Sequence, residues 1–124
     1  MSTTFRPERA AEAIHEAVAR ILNEEVSDPR LQHVTVTRCE ISHDLSFAKV
    51  FYTVLAVGGK SEDEAREEAA RAFDRATPFL RSRVGEEVAL RTVPELSFRF
   101  DKGTENALRI DELLAGLPEL QKDE

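Results

Sequence analysis

Apolar residues near the start of the chain recur with a helical period. Ile14, Val18, Ile21 and Leu22 fall at i, i+4, i+7 and i+8 and make one stripe, so a helix is expected from about Pro7 to Val26. Pro7 suits a first helical position, and Asp28 followed by Pro29 closes the run, because the residue before a proline is pushed out of helical geometry. The period then changes to two. The stretch HVTVTRCEIS, 33–42, is dense in β-branched residues and reads as a strand. Its apolar phase slips from Val34 and Val36 to Cys39 and Ile41, which places a bulge or twist near Arg38. After the turn HDLS, residues 46–56 alternate: Ala48, Val50, Tyr52 and Val54 line one face, and Phe47, Lys49, Phe51 and Thr53 the other. Two such strands joined by a short turn make an antiparallel hairpin.

A helical period returns after VGGK. Ser61 is a helix cap, and Glu62, Asp63 and Glu64 stand where the helix dipole favours anions. Ala65, Ala69, Ala72, Phe73 and Ala76 form a narrow stripe of mostly small residues, which lets a helix lie close to its neighbour. Pro78 then interrupts the pattern, since proline removes a donor and its ring clashes with the preceding turn. Thr77-Pro78 also reads as a cap followed by a first-turn proline, so Ala76, Thr77 and Pro78 are expected to break the helix, with a second helix running to about Gly85 or Val88. ELSFRFD, 95–101, alternates as a third strand, with Leu96, Phe98 and Phe100 inward and Ser97, Arg99 and Asp101 outward; Pro94 stands at its start, where a strand tolerates it. A short last helix is expected from about Glu105 to Ala115, capped by Thr104 and stopped by Gly116 and Pro118. Three strands cannot close a barrel. The expected architecture is therefore an α+β sandwich, with helices on one face of the sheet and the other face open.

Composition narrows the class. A chain of 124 residues with 41% hydrophobic and 33% charged residues is expected to be one globular domain, here 1–118, followed by a short acidic tail, 119–124. No apolar run approaches the ~18 residues of a membrane span, and MSTTFRPER has no apolar signal core, so a cytoplasmic protein without membrane partners is expected. Cys39 is the single cysteine, which excludes an internal disulfide and a multi-cysteine zinc site. It lies on an apolar phase and reads as a small core residue rather than a nucleophile. His15, His33 and His43 have no ligand spacing, and no Ser/His/Asp order or carboxylate pair stands out. GGKS, 58–61, follows a strand and precedes a helix as a phosphate loop does, but Val54 occupies the position that loop needs as glycine. Nothing positive marks an enzyme, and no catalytic residue, metal or cofactor is expected.

Charge is the informative feature. A net charge of -7 argues against indiscriminate nucleic-acid binding but not against a local basic face, because charge acts over only ~8–10 Å in physiological salt. Residues 61–70 carry five acids and one arginine, whereas residues 71–83 carry four arginines and one aspartate. Dipole complementation accounts for acids early and for Arg71 and Arg75 late. It does not account for Arg81 and Arg83 in the first turns of a new helix, where cations oppose the dipole. A helix N-terminus offers unpaired amides to phosphate, and neighbouring guanidinium forks strengthen such a seat. Arg71, Arg75, Arg81 and Arg83 are therefore the expected RNA-backbone contacts, with Lys49, Arg91 and Arg99 as further candidates near the same surface. The chain has no Trp and its aromatics mostly occupy core phases, so base readout is not legible.

VTVTRCEISHDLSFAKVFYTVL at 34–55 and LRSRVGEEVALRTVPELSFRFDKG at 80–103, with the helix before SDPRL and the closing I-D-E-L-L, resemble the ribosome-binding factor A family over nearly the whole chain. The combination of Ser42, Asp44 and Leu45 in the hairpin with LR-x-x-PEL-x-F-x-x-D at 90–101 is specific. The resemblance implies a KH-like (type II) domain whose helix-break-helix replaces the usual glycine-rich RNA loop. It implies a non-enzymatic, monomeric ribosome-biogenesis factor that binds the rRNA of the small (30S) ribosomal subunit. Late maturation, 16S rRNA 5′-end processing and growth in the cold would depend on it. Family members carry Ala-x-Gly at the interruption, where this chain has Ala76-Thr77-Pro78. A rival from another class is a protein-interaction module that docks through the exposed sheet or the acidic helix.

Overall fold

The computed structural model describes residues 6–103. In chain order these form α1 (Pro7–Glu24), a 3-10 turn (Pro29–Leu31), β1 (Val34–Ile41), β2 (Phe47–Val54), α2 (Glu62–Glu87) and β3 (Glu95–Phe100). The expected helix at 105–115 and the tail at 119–124 lie outside the described residues.

Helix α1 buries Ala10, Ile14, Ala17, Val18, Ile21 and Leu22, the stripe read from the sequence with one further turn at its start. It stops short of Val26 because Glu25 leaves helical geometry while still donating its N–H to the Ile21 carbonyl. The chain then turns on Asp28, whose Oδ1 accepts the Arg30 N–H at 2.9 Å while both carboxylate oxygens take the Arg30 guanidinium. Those bonds hold the Asp28 carboxyl below its ordinary range.

Strands β1 and β2 pair antiparallel from Val34↔Val54 to Ile41↔Ala48, with the register shift between Val36 and Arg38 where the apolar phase slips. The hairpin is tied by side chains. Ser42 Oγ accepts the N–H groups of Ser46 (3.1 Å) and Phe47 (3.0 Å), and Asp44 Oδ1 accepts from both serine hydroxyls. Leu45 takes a left-handed φ of 64° inside that frame, a conformation the bonds around it make tolerable. β3 joins the other side of β2 in parallel, from Phe47↔Glu95 to Tyr52↔Phe100, giving sheet order β1-β2-β3. A parallel neighbour needs a crossover, and α2 supplies it.

Both helices cover one sheet face, closing a core in which Ile14, Ile21, Val50, Phe73, Leu80 and Val84 are almost fully buried. Phe73 stacks on Phe98 with centroids 4.4 Å apart and tilts against Tyr52 at 4.6 Å, pinning α2 to β2 and β3. Asp101, expected to face outward, is only 1% exposed, and its N–H still donates to the Tyr52 carbonyl at 2.7 Å just past the end of β3. Its Oδ2 accepts from Thr37 Oγ1 at 2.5 Å and lies 3.4 Å from Arg38 Nε, so the buried carboxylate is bound to the β1 bulge. Cys39 is half-buried, and burial pushes its thiol up to about 11, which keeps it protonated at neutral pH.

Candidate nucleic-acid interface

Helix α2 begins as its sequence dictates. Ser61 Oγ accepts the Glu64 N–H at 3.1 Å, and the Glu64 side chain accepts the Ser61 N–H at 2.9 Å, a complete capping box. The expected break is absent. α2 runs unbroken for 26 residues with Pro78 inside it. Thr77 does not cap a new helix; its hydroxyl turns back and donates to the Phe73 carbonyl at 2.6 Å. The physical reason is packing on both sides of the proline. Ala69, Ala72 and Phe73 before it and Leu80 and Val84 after it enter one core, so separating the two halves would expose apolar surface to recover a single backbone bond. No amide-rich helix end therefore exists at Thr77-Pro78, and the anion seat read from the sequence is not there.

The four arginines of 71–83 diverge. Arg81 turns toward β3 and donates from Nε to the Pro94 carbonyl (3.0 Å) and from Nη2 to the Val93 carbonyl (2.8 Å). It clamps the connection that delivers β3. One turn on, Gly85 lets that connection approach: a Cβ there would stand 2.7 Å from Val93 Cγ2. Arg83 points to the end of α1, donating to both carboxylate oxygens of Glu25 at 2.7 Å and also to Glu86 and Glu87. Arg20 meets Glu87 in the same network. These contacts hold the Glu25 carboxyl below its usual value and raise Arg83 further above its own. Both side chains thus have internal work that the charge pattern did not disclose.

Arg71 and Arg75 differ. Both are exposed, and neither makes a hydrogen bond or ion pair with a described residue. Arg75 lies near enough to Asp28 for its charge to help lower that carboxyl. Pro78, Phe79 and Ser82 continue the exposed face, and Phe79 is 45% exposed. Beside this face a cleft of about 420 Å³ opens between α2 and β3, with Phe73, Asp74, Thr77, Pro78, Ser97 and Phe98 among its lining. Arg66, nearer the start of α2, lies over the Phe100 ring of β3 with 4.0 Å to the centroid. Lys49 and Arg99 stand on the far side of the sheet, exposed, and Arg91 is exposed in the connection from α2 to β3. The seven candidates therefore do not form one surface. Sequence reading missed Arg38, whose guanidinium covers the Phe51 ring at 3.8 Å; the register that pairs the two across the bulge was the only available signal.

No helix among the described residues is long and apolar enough to cross a membrane, and no group of three metal-ligating side chains occurs among them. The model of one protein family, ribosome-binding factor A, matches residues 6–114. The chain belongs to the ribosome-binding factor A family. Ribosome-binding factor A of Hydrogenovibrio crunogenus is 40% identical over 109 residues, 88% of each chain, and that of Geobacter sulfurreducens is 39% identical over the same share. The crystal structure of ribosome-binding factor A from Thermus thermophilus superposes with a TM-score of 0.61 at 26% identity, covering 76% of this chain and 94% of that one. A homology model of the Thermus thermophilus factor, fitted into a cryo-EM map of a 30S complex, is similar at 30% identity and TM-score 0.50, covering 68% and 88%. A small α+β domain with a three-stranded mixed sheet is thus common to this chain and to solved ribosome-binding factors A.

Proposed function

We propose that this chain is an RNA-binding assembly factor of the small ribosomal subunit, acting in the cytoplasm as a monomer through a KH-like domain. Late maturation of the particle, including processing of the 16S rRNA 5′ end, is the step it assists, with the largest effect on growth in the cold. Its relatives are named for binding the ribosome, and the Thermus thermophilus relative was fitted into a map of a 30S complex. The observation that carries the reading is the exposed α2 face, where Arg71 and Arg75 make no hydrogen bond or ion pair with a described residue, beside the α2–β3 cleft in a chain of net charge -7. Guanidinium groups left open at such a face suit phosphate oxygens, and phosphate contact makes affinity fall steeply with salt. Arg81 and Arg83 contribute indirectly, by holding α2 against β3 and α1.

Co-sedimentation with purified small subunits tests the assignment. Arg71→Glu with Arg75→Glu should weaken association by at least about tenfold and flatten its salt dependence, while thermal unfolding stays near that of the parent. Undiminished co-sedimentation of the double variant would remove α2 from the interface.

A further inference from the structure

The sheet face turned away from the helices carries an ordered pattern of its own. Phe47, Lys49 and Phe51 project from β2 on that side, and Phe47 is 62% exposed. The register places Arg38 on one side of Phe51 and Arg99 on the other, so one row across the sheet reads cation, ring, cation. The neighbouring row is Glu40, Lys49, Ser97. Arg38 lies over the Phe51 ring and is steadied there by Glu40 and by the buried Asp101. Arg99 uses Nε on Ser97 Oγ at 3.0 Å, which leaves its terminal nitrogens without a described partner; Lys49 has none either. Against these three cations stand three acids: Glu40 and the buried Asp101, both paired with Arg38, and Glu95 beside Phe47. The cations left open on this face are therefore Lys49 and the terminal nitrogens of Arg99.

An exposed ring on an open sheet contributes little to folding, and an immobilised guanidinium plane is itself a stacking surface. Phe47 and Phe51 are four residues apart on one strand, about 13 Å. Rings and fixed guanidinium planes interleaved with unpaired cations are the two components a single-stranded nucleic acid needs: faces for its bases and charges for its phosphates. An acidic peptide would meet the cations and leave Phe47 uncovered.

We infer that the open sheet face is a second RNA-contact surface, which takes a single-stranded segment with bases stacked on Phe47 and on the Arg38-covered Phe51, and phosphates on Lys49 and Arg99. This rests on the chain being an rRNA binder but uses no residue of α2, and it lies on the opposite side of the sheet from Arg71 and Arg75.

The chain has no Trp, so Phe47→Trp in the full chain puts the sole indole on this face. Its fluorescence should be quenched saturably by single-stranded RNA of about ten nucleotides and not by a duplex of equal length. Adding Lys49→Glu and Arg99→Glu should raise the RNA concentration for half-quenching by at least about tenfold, whereas adding Arg71→Glu and Arg75→Glu should leave the quench in place. Absence of quenching by single-stranded RNA overturns the inference, as does a quench indifferent to Lys49 and Arg99 or abolished by the α2 changes. An indole response to RNA-free subunit proteins but not to RNA would assign the face to a protein partner and overturn it too. Failure of the α2 assignment in co-sedimentation leaves this readout unaltered, so the two readings fail separately.

Discussion

Replacing Pro78 by alanine tests why α2 stays whole. Pro78 is exposed on the helix, so no core contact is lost when its ring is removed. The substitution restores an N–H to the 78th residue, within reach of the Asp74 carbonyl four residues back, and relieves the ring's pressure on that turn. One backbone hydrogen bond is worth about 1 kcal/mol net, and the full proline penalty in a helix interior is about 3 kcal/mol relative to alanine. A helix already continuous through the site has absorbed part of that penalty, so a gain of about 1–3 kcal/mol is expected. With an unfolding entropy of about 2.1 cal/mol/K per residue over 124 residues, each kcal/mol moves the midpoint by about 4 °C, or about 4–12 °C in all. Thermal unfolding followed by far-ultraviolet circular dichroism, with a urea series at about 25 °C, measures it. Had Pro78 started a new helix as Thr77-Pro78 suggests in the sequence, its missing N–H would cost nothing there, and alanine would be neutral or destabilising. An unchanged or lowered midpoint therefore refutes the continuous-helix account. Because Pro78 also lines the α2–β3 cleft, the stabilised variant is expected to bind small subunits less well than the parent.

Gly85→Ala should destabilise by about 1–2 kcal/mol in urea unfolding although alanine is the better helix former, because overpacking against Val93 costs more than the ~1 kcal/mol of propensity gained. Adding Val93→Ala should recover much of the loss, and purely additive effects would show that the two side chains do not meet. Arg83→Met should change the acid limb of the stability curve. Glu25 has its pKa lowered in the fold mainly by its bonds to Arg83, so its contribution is present above the ordinary value of 4.5 and is lost as pH falls through the lower folded value. The stability gap between parent and variant is thus expected to be constant near neutrality and to narrow below about pH 4.5. A gap that widens on acidification would refute the pairing.

The two periodicities of the chain were enough to locate α1, the β1–β2 hairpin with its bulge near Arg38, the Ser61 cap and β3, because local backbone preference and burial agree in each of them. The resemblance to ribosome-binding factor A was legible for the same reason, since its motifs sit in those locally determined elements. Where local preference and packing disagree, the tertiary structure decided. Thr77-Pro78 is a local signal to restart a helix, but Phe73, Leu80 and Val84 share one core and hold α2 continuous across it. Asp101 follows an outward phase in the sequence, yet it is buried on the β1 bulge, where its partner Thr37 stands 64 residues away. Charge behaves the same way. Arg71, Arg75, Arg81 and Arg83 are expected from the sequence to share one RNA contact, but a helix turns about 100° per residue, which sends Arg81 to the Val93 and Pro94 carbonyls and Arg83 to Glu25. A sequence states how many charges a segment carries; only the fold determines which of them find partners within the chain and which remain open to a ligand.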